Sequence, residues 1–324
     1  MCDAGGYEPQ FLMLRDGGIV KGLLPLLLVR SRLTGTRLVC LPFSDACYPL
    51  SDGPGEGEAL LRGALDLARI KQVDYLEIRG APCTKAATGK ESRVDLIEKL
   101  GYSGEYHFKN YIVHLTKDTE AIKGTFQAKM RQLINKSFRE GVRVRVGTGE
   151  KDIDEFYRLY LLNRRYHGIP PQPRGVFSRL FSTLTDEPRA LLYLAGFQGA
   201  NVAGIVALRF KGICYGKYEG VDHAFRKALP IHALLWKLIE DAANDGETAF
   251  DFGRTAADNT GLNEFKDRWG STCIDLPYYF HPPRQGLSIV KANSLKYRLF
   301  TGLVKRLPLS VNARIGARLF RHFG

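Results

Sequence analysis

Phe250-Asp251-Phe252-Gly253-Arg254-Thr255, followed by Gly261-Leu262-Asn263-Glu264-Phe265-Lys266-Asp267-Arg268-Trp269-Gly270, gathers the side chains of this 324-residue chain best suited to chemistry. Strand alternation puts Phe250 and Phe252 on one face and Asp251 on the other. Gly253 lets the backbone turn sharply, so Arg254 leaves the strand tip. Leu262, Phe265 and Trp269 recur at i, i+3 and i+7, the buried stripe of a short helix. Lys266 lies one position round from Phe265, where it can enter a cleft. Arg254 and Lys266 together form a cationic pocket for a phosphate or carboxylate. An equally open reading pairs Asp251 with Arg254 in a structural salt bridge and leaves Lys266 solvated. On the first reading, alanine at both cations abolishes group transfer yet leaves the melting temperature nearly unchanged.

Other chemistries find no support in the residues. There is no GxSxG nucleophile turn. The seven histidines show no ligand spacing, so no metal is expected. Gly53-Pro54-Gly55-Glu56-Gly57 has acidic flanks that repel phosphate. Ala87 to Ser92 resembles a phosphate loop only faintly, with Thr84 where a glycine belongs and Glu91 after the lysine.

The elements that must position these residues alternate between strands and helices. Strands are expected at 11–15, 19–30, 37–42, 73–78 and 106–115, with helices at 58–71 and 94–100. The second half repeats the theme. It has helices at 125–140 and 153–166, antiparallel strands at 190–195, 202–210 and 213–219, and a helix from Pro230 to Ala243. A strand at 248–252, a helix at 262–269 and a strand at 274–280 follow. Ala59-Leu60-Leu61 and Ala233-Leu234-Leu235 open helices that lead, without a gap, to Tyr75-Leu76-Glu77 and Ala249-Phe250-Asp251. The offset is 174, so Glu77 falls opposite Asp251. A period this long implies duplicated domains rather than a solenoid. The order of elements in each half is that of N-acetyltransferase-type acyltransferases, in which two central strands splay apart to admit the acyl donor. The first half enters directly on a strand, as if an opening helix and strand were missing.

The string FDFGRT…TGLNEFKDRWG resembles the signature of FemAB-like proteins, in particular those of bacterial exopolysaccharide and PEP-CTERM/exosortase systems. Leu41-Pro42-Phe43-Ser44-Asp45, Val73 to Arg79, Arg164-Arg165 with Gly168-Ile169-Pro170, and Leu229-Pro230 strengthen the likeness, which spans most of Phe11 to Phe280. The resemblance implies an α/β fold with mixed sheets, as tandem GNAT-like acyltransferase domains; the basic helical C-terminal tail after Arg284 is no part of the resemblance and is read from its composition. The expected divisions are 1–118, a first domain abbreviated at its start, then 119–283, carrying the signature, and 284–324, the tail. It also implies a transferase that moves an aminoacyl or acyl group to an amine of a cell-envelope precursor, either peptidoglycan or exopolysaccharide. The donor would be aminoacyl-tRNA or acyl-CoA, with no resident cofactor.

One stretch bears on the donor. Acetyl-CoA enzymes of this fold hold pyrophosphate on backbone N–H groups of a Gly-rich loop before a helix. Here the equivalent stretch, Gly220 to Pro230, has no glycine after Gly220. That weakens the CoA reading and leaves room for aminoacyl-tRNA, while Arg226 and Lys227 remain candidate phosphate contacts. Acyl transfer needs a neutral amine, an oxyanion donor and positioning. The backbone from Lys217 to Gly220 is the candidate oxyanion site. Glu219 and Asp251 are candidate proton acceptors, and Tyr215 and Tyr218 candidate proton donors. The candidate catalytic residues are thus Asp251, Glu219 and Tyr218. Arg254, Lys266, Tyr215, Lys217, Arg226 and Lys227 are candidates for substrate binding. Rival readings are a CoA-dependent N-acyltransferase and a non-catalytic RNA- or membrane-binding protein.

Composition frames these readings. Hydrophobic residues make up 44% and charged residues 25%, a globular mix rather than a disordered one. Six scattered cysteines without CxxC fit free thiols in a reducing cytoplasm. No apolar run is long enough to cross a bilayer, and the first ten residues have no leader pattern. Net charge is +13, and residues 284–324 hold nine Lys/Arg and no Asp or Glu. Their interleaved Leu, Ile, Val and Phe fit amphipathic helices at an anionic membrane surface, or packing on the body. A peripheral place on the inner membrane is the expectation. From Lys123 to Arg145 a second basic stretch offers contact with RNA or phosphate, or a solvated face.

Overall fold

A computed structural model describes residues 6–32, 34–80, 93–184, 189–283 and 295–322. Cys2, Cys83, the phosphate-loop-like stretch 87–92 and the tail from Arg284 to Ser294 lie outside them. The first half runs through β1 (Glu8–Pro9), β2 (Leu12–Asp16), β3 (Ile19–Leu24), β4 (Leu26–Ser31), β5 (Gly35–Cys40) and β6 (Leu50–Ser51). It continues with α1 (Pro54–Ile70), β7 (Tyr75–Arg79), α2 (Arg93–Lys99) and β8 (Ser103–His114). The single strand expected over 19–30 is two. Pro25 has no N–H to donate, and the chain changes sheets there: β3 joins β2 and β6, and β4 enters the main sheet.

The second half has α3 (Thr119–Thr125), α4 (Ala128–Arg139), β9 (Arg143–Val146), α5 (Gly149–His167) and α6 (Arg174–Thr183). Then come β10 (Ala190–Phe197), β11 (Ala200–Phe210), β12 (Ile213–Val221), α7 (Pro230–Asn244), β13 (Ala249–Ala256), α8 (Thr260–Asp267) and β14 (Thr272–His281). The helix expected over 125–140 breaks at Phe126, which leaves helical geometry with ψ 146°. The break seats Phe126 between Trp236 and Trp269, at ring-centre distances of 5.7 and 5.2 Å. Burying that ring outweighs the helical hydrogen bonds lost at the break.

The main sheet has eleven strands in the order β1-β4-β5-β7-β14-β8-β13-β12-β11-β10-β9. It runs unbroken across the division expected near residue 118. The halves exchange strands at its centre: β14 lies between β7 and β8, and β8 lies between β14 and β13. The parallel pair in each half confirms the repeat. Tyr75, Leu76 and Glu77 pair with Arg37, Leu38 and Val39, while Ala249, Phe250 and Asp251 pair with Ile213, Cys214 and Tyr215. Tyr75–Glu77 and Ala249–Asp251 are the residues related by the offset of 174, while their partner strands differ from it by two positions. One apolar core packs α7 against β10 to β13, and another packs α1 against β4, β5 and β7. The tail forms α9 (Leu295–Arg306) and α10 (Leu309–Leu319), which pack on α5.

Candidate active site

The site begins where β12 and β13 part. Beyond Tyr215 and Asp251 they no longer pair. Pairing of β13 with β8 also slips between Asp251 and Arg254, and Gly253 takes a left-handed φ of +70°. This bulge turns the carbonyls of Phe252 and Gly253 away from the ladder. Lys266 Nζ donates to both, at 2.9 and 2.8 Å. Its side chain enters from α8 and is buried, 5% exposed. Burial draws its pKa down to about 8, against the opposing pull of the Glu219, Asp251 and Asp45 carboxylates. Lys266 is therefore a brace inside the splay, neither solvated nor standing clear in the cleft. The expectation that it can be removed without loss of stability is corrected accordingly.

Asp251 accepts from Asn110 Nδ2 at 2.9 Å and from the Gly253 N–H at 2.6 Å. Burial raises its pKa despite both bonds. The pairing of Asp251 with Arg254 is not formed. Arg254 Nη1 instead donates to the Tyr278 hydroxyl at 2.6 Å, and its Nε lies 3.7 Å from Asp45 Oδ1. The guanidinium also lies over Phe108, 4.6 Å from the ring centre. Asp45 accepts from Lys217 Nζ at 2.7 Å. Lys217 and Arg254 of the second half thus converge on one carboxylate from the first half, next to the Lys266 brace. Tyr215 stands opposite Asp251 in the pair of strands, its phenol pKa raised by burial and by that carboxylate.

The corresponding gap in the first half is closed. Arg79 occupies the position that the repeat gives to Gly253. Its Nε bonds Glu77 at 2.8 Å and its Nη1 bonds the Ser44 carbonyl at 2.6 Å. Cys47 N–H bonds the Arg79 carbonyl at 3.0 Å. Side chain and loop fill the first splay, and glycine opens the second.

Comparison with known proteins bears on the fold that carries this site. Residues 124–267 match the family described as acetyltransferase (GNAT) domain. A UDP-N-acetylmuramoylpentapeptide-lysine N(6)-alanyltransferase from Weissella viridescens is 24% identical over 153 residues. That stretch is 47% of this chain and 45% of the enzyme, so the match spans under half of its length. A crystal structure of FemX superimposes with a TM-score of 0.67 at 15% identity, covering 86% of this chain and 89% of that one. The chain is similar to FemAB-like proteins. A tandem GNAT protein from the clavulanic acid biosynthesis pathway gives a TM-score of 0.54 at 15% identity, with 86% and 84% covered, and shares the doubled fold.

The chain has a pocket of about 260 Å³ at the open end of β12. Asn163 and His167 of α5, Glu219 and Val221 of β12, and the turn from His223 to His232 line it. Glu219 joins pocket to splay. The residue is exposed, and desolvation by the neighbouring protein raises its pKa, with Lys266 opposing that rise. Arg226 lines the pocket, whereas Lys227 is exposed and outside the lining. Tyr218 points to the opposite side of the sheet. Its ring packs on Phe177 at 5.2 Å, and burial raises its pKa. Burial lowers the pKa values of His167, His223 and His232, the last to about 4, so all three are neutral at pH 7.

Sequence reasoning missed Asp45, Asn110, Tyr278 and the pocket histidines. Asp45 stood within the FemAB-like resemblance, but nothing local joins it to Lys217, 172 positions away.

Lys266 also sets a pH dependence. Its pKa falls from an ordinary 10.5 to about 8 on folding. Between those values the folded chain binds fewer protons than the unfolded one, so Lys266 favours folding as pH rises. Below pH 8 its full charging penalty is present. Melting curves from pH 7 to 10.5 should therefore show the wild type gaining stability relative to Lys266→Met. A constant difference would mean that the lysine is not held with a depressed pKa.

Proposed function

We propose that the chain transfers an aminoacyl group from aminoacyl-tRNA to an amine of a cell-envelope precursor, with a peptidoglycan or exopolysaccharide unit as acceptor. The observation that carries the donor choice is the state of the backbone before α7. Ala224 N–H bonds Asp222 Oδ1, Phe225 N–H bonds the Asp222 carbonyl and Leu229 N–H bonds the Arg226 carbonyl. His232 N–H bonds the Leu229 carbonyl, and Pro230 has no N–H at all. Donors that would cradle a CoA pyrophosphate are already engaged within the turn. At the pocket edge the exposed Tyr166 ring lies on His223, 3.6 Å between centres and 12° from parallel. Aromatic faces of this kind suit the unstacked bases of a single-stranded RNA end.

The reaction follows from the groups present. The acceptor nitrogen attacks the ester carbonyl carbon, and the bond to the ribose oxygen breaks as the tetrahedral oxyanion collapses. The proton shed by nitrogen passes to Glu219, whose raised pKa makes it a better base near neutrality than an exposed carboxylate. Asp251 holds the bulge through Gly253 and stands as the second acceptor. Tyr215, which pairs with Asp251, is the candidate to protonate the leaving oxygen, whereas the Tyr218 ring packs on Phe177. Arg254 and Lys217 bind the acceptor's anionic group in exchange for Asp45. The chain works at the inner face of the membrane where such precursors are built.

A CoA-dependent N-acyltransferase is the second reading, favoured by the acetyltransferase (GNAT) match itself. Purified protein should move label from alanyl-tRNA to UDP-linked muramoyl pentapeptide or an exopolysaccharide precursor amine. Arg254→Ala should lower kcat/KM by about 100-fold, in the range of a lost charge-stabilising donor. Label transfer from acetyl-CoA, with none from alanyl-tRNA, would reverse the donor assignment.

A further inference from the structure

We infer that the outward face of the α9–α10 hairpin is a docking surface for an anionic lipid bilayer. The hairpin is fixed by its other face. Val304, Asn312, Gly316 and Phe320 are buried. Thr301 lies against Gly168 at the end of α5, where even a Cβ would approach the Thr301 carbonyl to 2.8 Å. Phe320 stacks on Phe43 with 4.6 Å between ring centres, and its carbonyl accepts from the Tyr7 hydroxyl at 2.5 Å. The tail therefore ties α5 of the second half to the first half.

What remains outward has one character. Leu299 and Leu303, one turn apart, are 66% and 58% exposed, and Val311 of α10 is 36% exposed. The same stretch carries Arg298, Lys305, Arg306, Arg314, Arg318 and Arg321, all exposed. The stretch from Leu295 to His322 contains no Asp or Glu. Cations flanking exposed leucines match a surface that is negative at its headgroups and apolar beneath them. Polyanions such as RNA satisfy only the cations. The leucines decide between the two, because leaving them in water is costly unless an acyl layer receives them. No helix among the described residues is long and apolar enough to cross a membrane, so the hairpin lies on the surface.

The position adds a consequence. Thr301 abuts Gly168, next to pocket-lining His167, and the charge of Lys305 helps lower the pKa of that histidine. A bilayer against α9 would stand beside the pocket, within reach of membrane-carried precursors. Docking itself does not depend on the proposed reaction.

Deleting the tail would remove Phe320 from the core, so point changes are the test. The full chain should co-sediment with vesicles of phosphatidylcholine containing about one third phosphatidylglycerol, and not with phosphatidylcholine alone. Leu299→Asp with Leu303→Asp should reduce binding at least about tenfold with an unchanged melting temperature, since both side chains are exposed. Raising salt toward 1 M should release the wild type. Equal binding to both vesicle types, or binding unaltered by the double change, would overturn the inference. So would tight binding to single-stranded RNA that needs the arginines but not the leucines, without vesicle binding.

Discussion

Lys266→Ala should cost both stability and transfer, whereas Arg254→Ala should cost transfer alone. Lys266 caps the Phe252 and Gly253 carbonyls inside the splay. Its loss leaves two acceptors without their partner, at about 1–3 kcal/mol for a buried group left unsatisfied. Relief of its own charging penalty offsets part of this, so a net loss of roughly 2 kcal/mol is expected, or about 4–8 °C in Tm. The bulge that aims Arg254 and Asp251 loosens at the same time, and transfer should fall by about 100-fold or more. The Arg254 side chain is 34% exposed and that of Asp45 30%, and the buried Tyr278 hydroxyl keeps its bond to the Asp45 carbonyl at 3.0 Å. Its removal should change stability by no more than about 1 kcal/mol. Thermal melts and single-turnover transfer on both variants separate the roles. Equal loss of Tm in the two would make Arg254 a structural cation.

Trp269→Ala should be more damaging to the fold. The indole is fully buried, with Phe126, Phe252 and Phe265 around it at 5.2, 5.9 and 6.1 Å between ring centres. It joins α8 to the core that holds α3, α7 and β13. Truncation of such a ring costs about 3–5 kcal/mol, a transfer loss plus a cavity. Because α8 carries Lys266, the brace should shift with it. Trp269→Phe should recover more than half of the loss in chemical denaturation. If Trp269→Ala stays within about 1 kcal/mol of wild type, the core is not packed as described.

Local chemistry explains what could be read in advance. The stripe of Leu262, Phe265 and Trp269 foretold α8, and the gapless repeat foretold that Glu77 and Asp251 occupy equivalent places. The glycine at 253 and the arginine at 79, one repeat apart, distinguish an open splay from a filled one, a contrast visible only once the strands are paired. The direction of Lys266 was not legible, because the carbonyls it caps exist only after β12 and β13 separate. Neither was Asp45 as the partner of Lys217 and Arg254, since that contact depends on how the halves meet. The exchange of β8 and β14 is likewise a product of long-range pairing. Tyr218 and Tyr215 are both half-buried, and the packing of the Tyr218 ring on Phe177 depends on how α6 meets the sheet, which local sequence does not show.

The central claim is that the pocket beside Glu219 takes an aminoacyl-tRNA end, whose cargo passes to an amine of an acceptor held at the second splay. It is tested most directly by titrating the protein with an RNA acceptor-stem hairpin that carries alanine through a stable amide at its 3′ end. The account predicts saturable binding, weakened at least about tenfold by Arg226→Ala and competed poorly by acetyl-CoA. Binding of acetyl-CoA in the pocket beside Glu219, with none of the aminoacylated RNA, would contradict it.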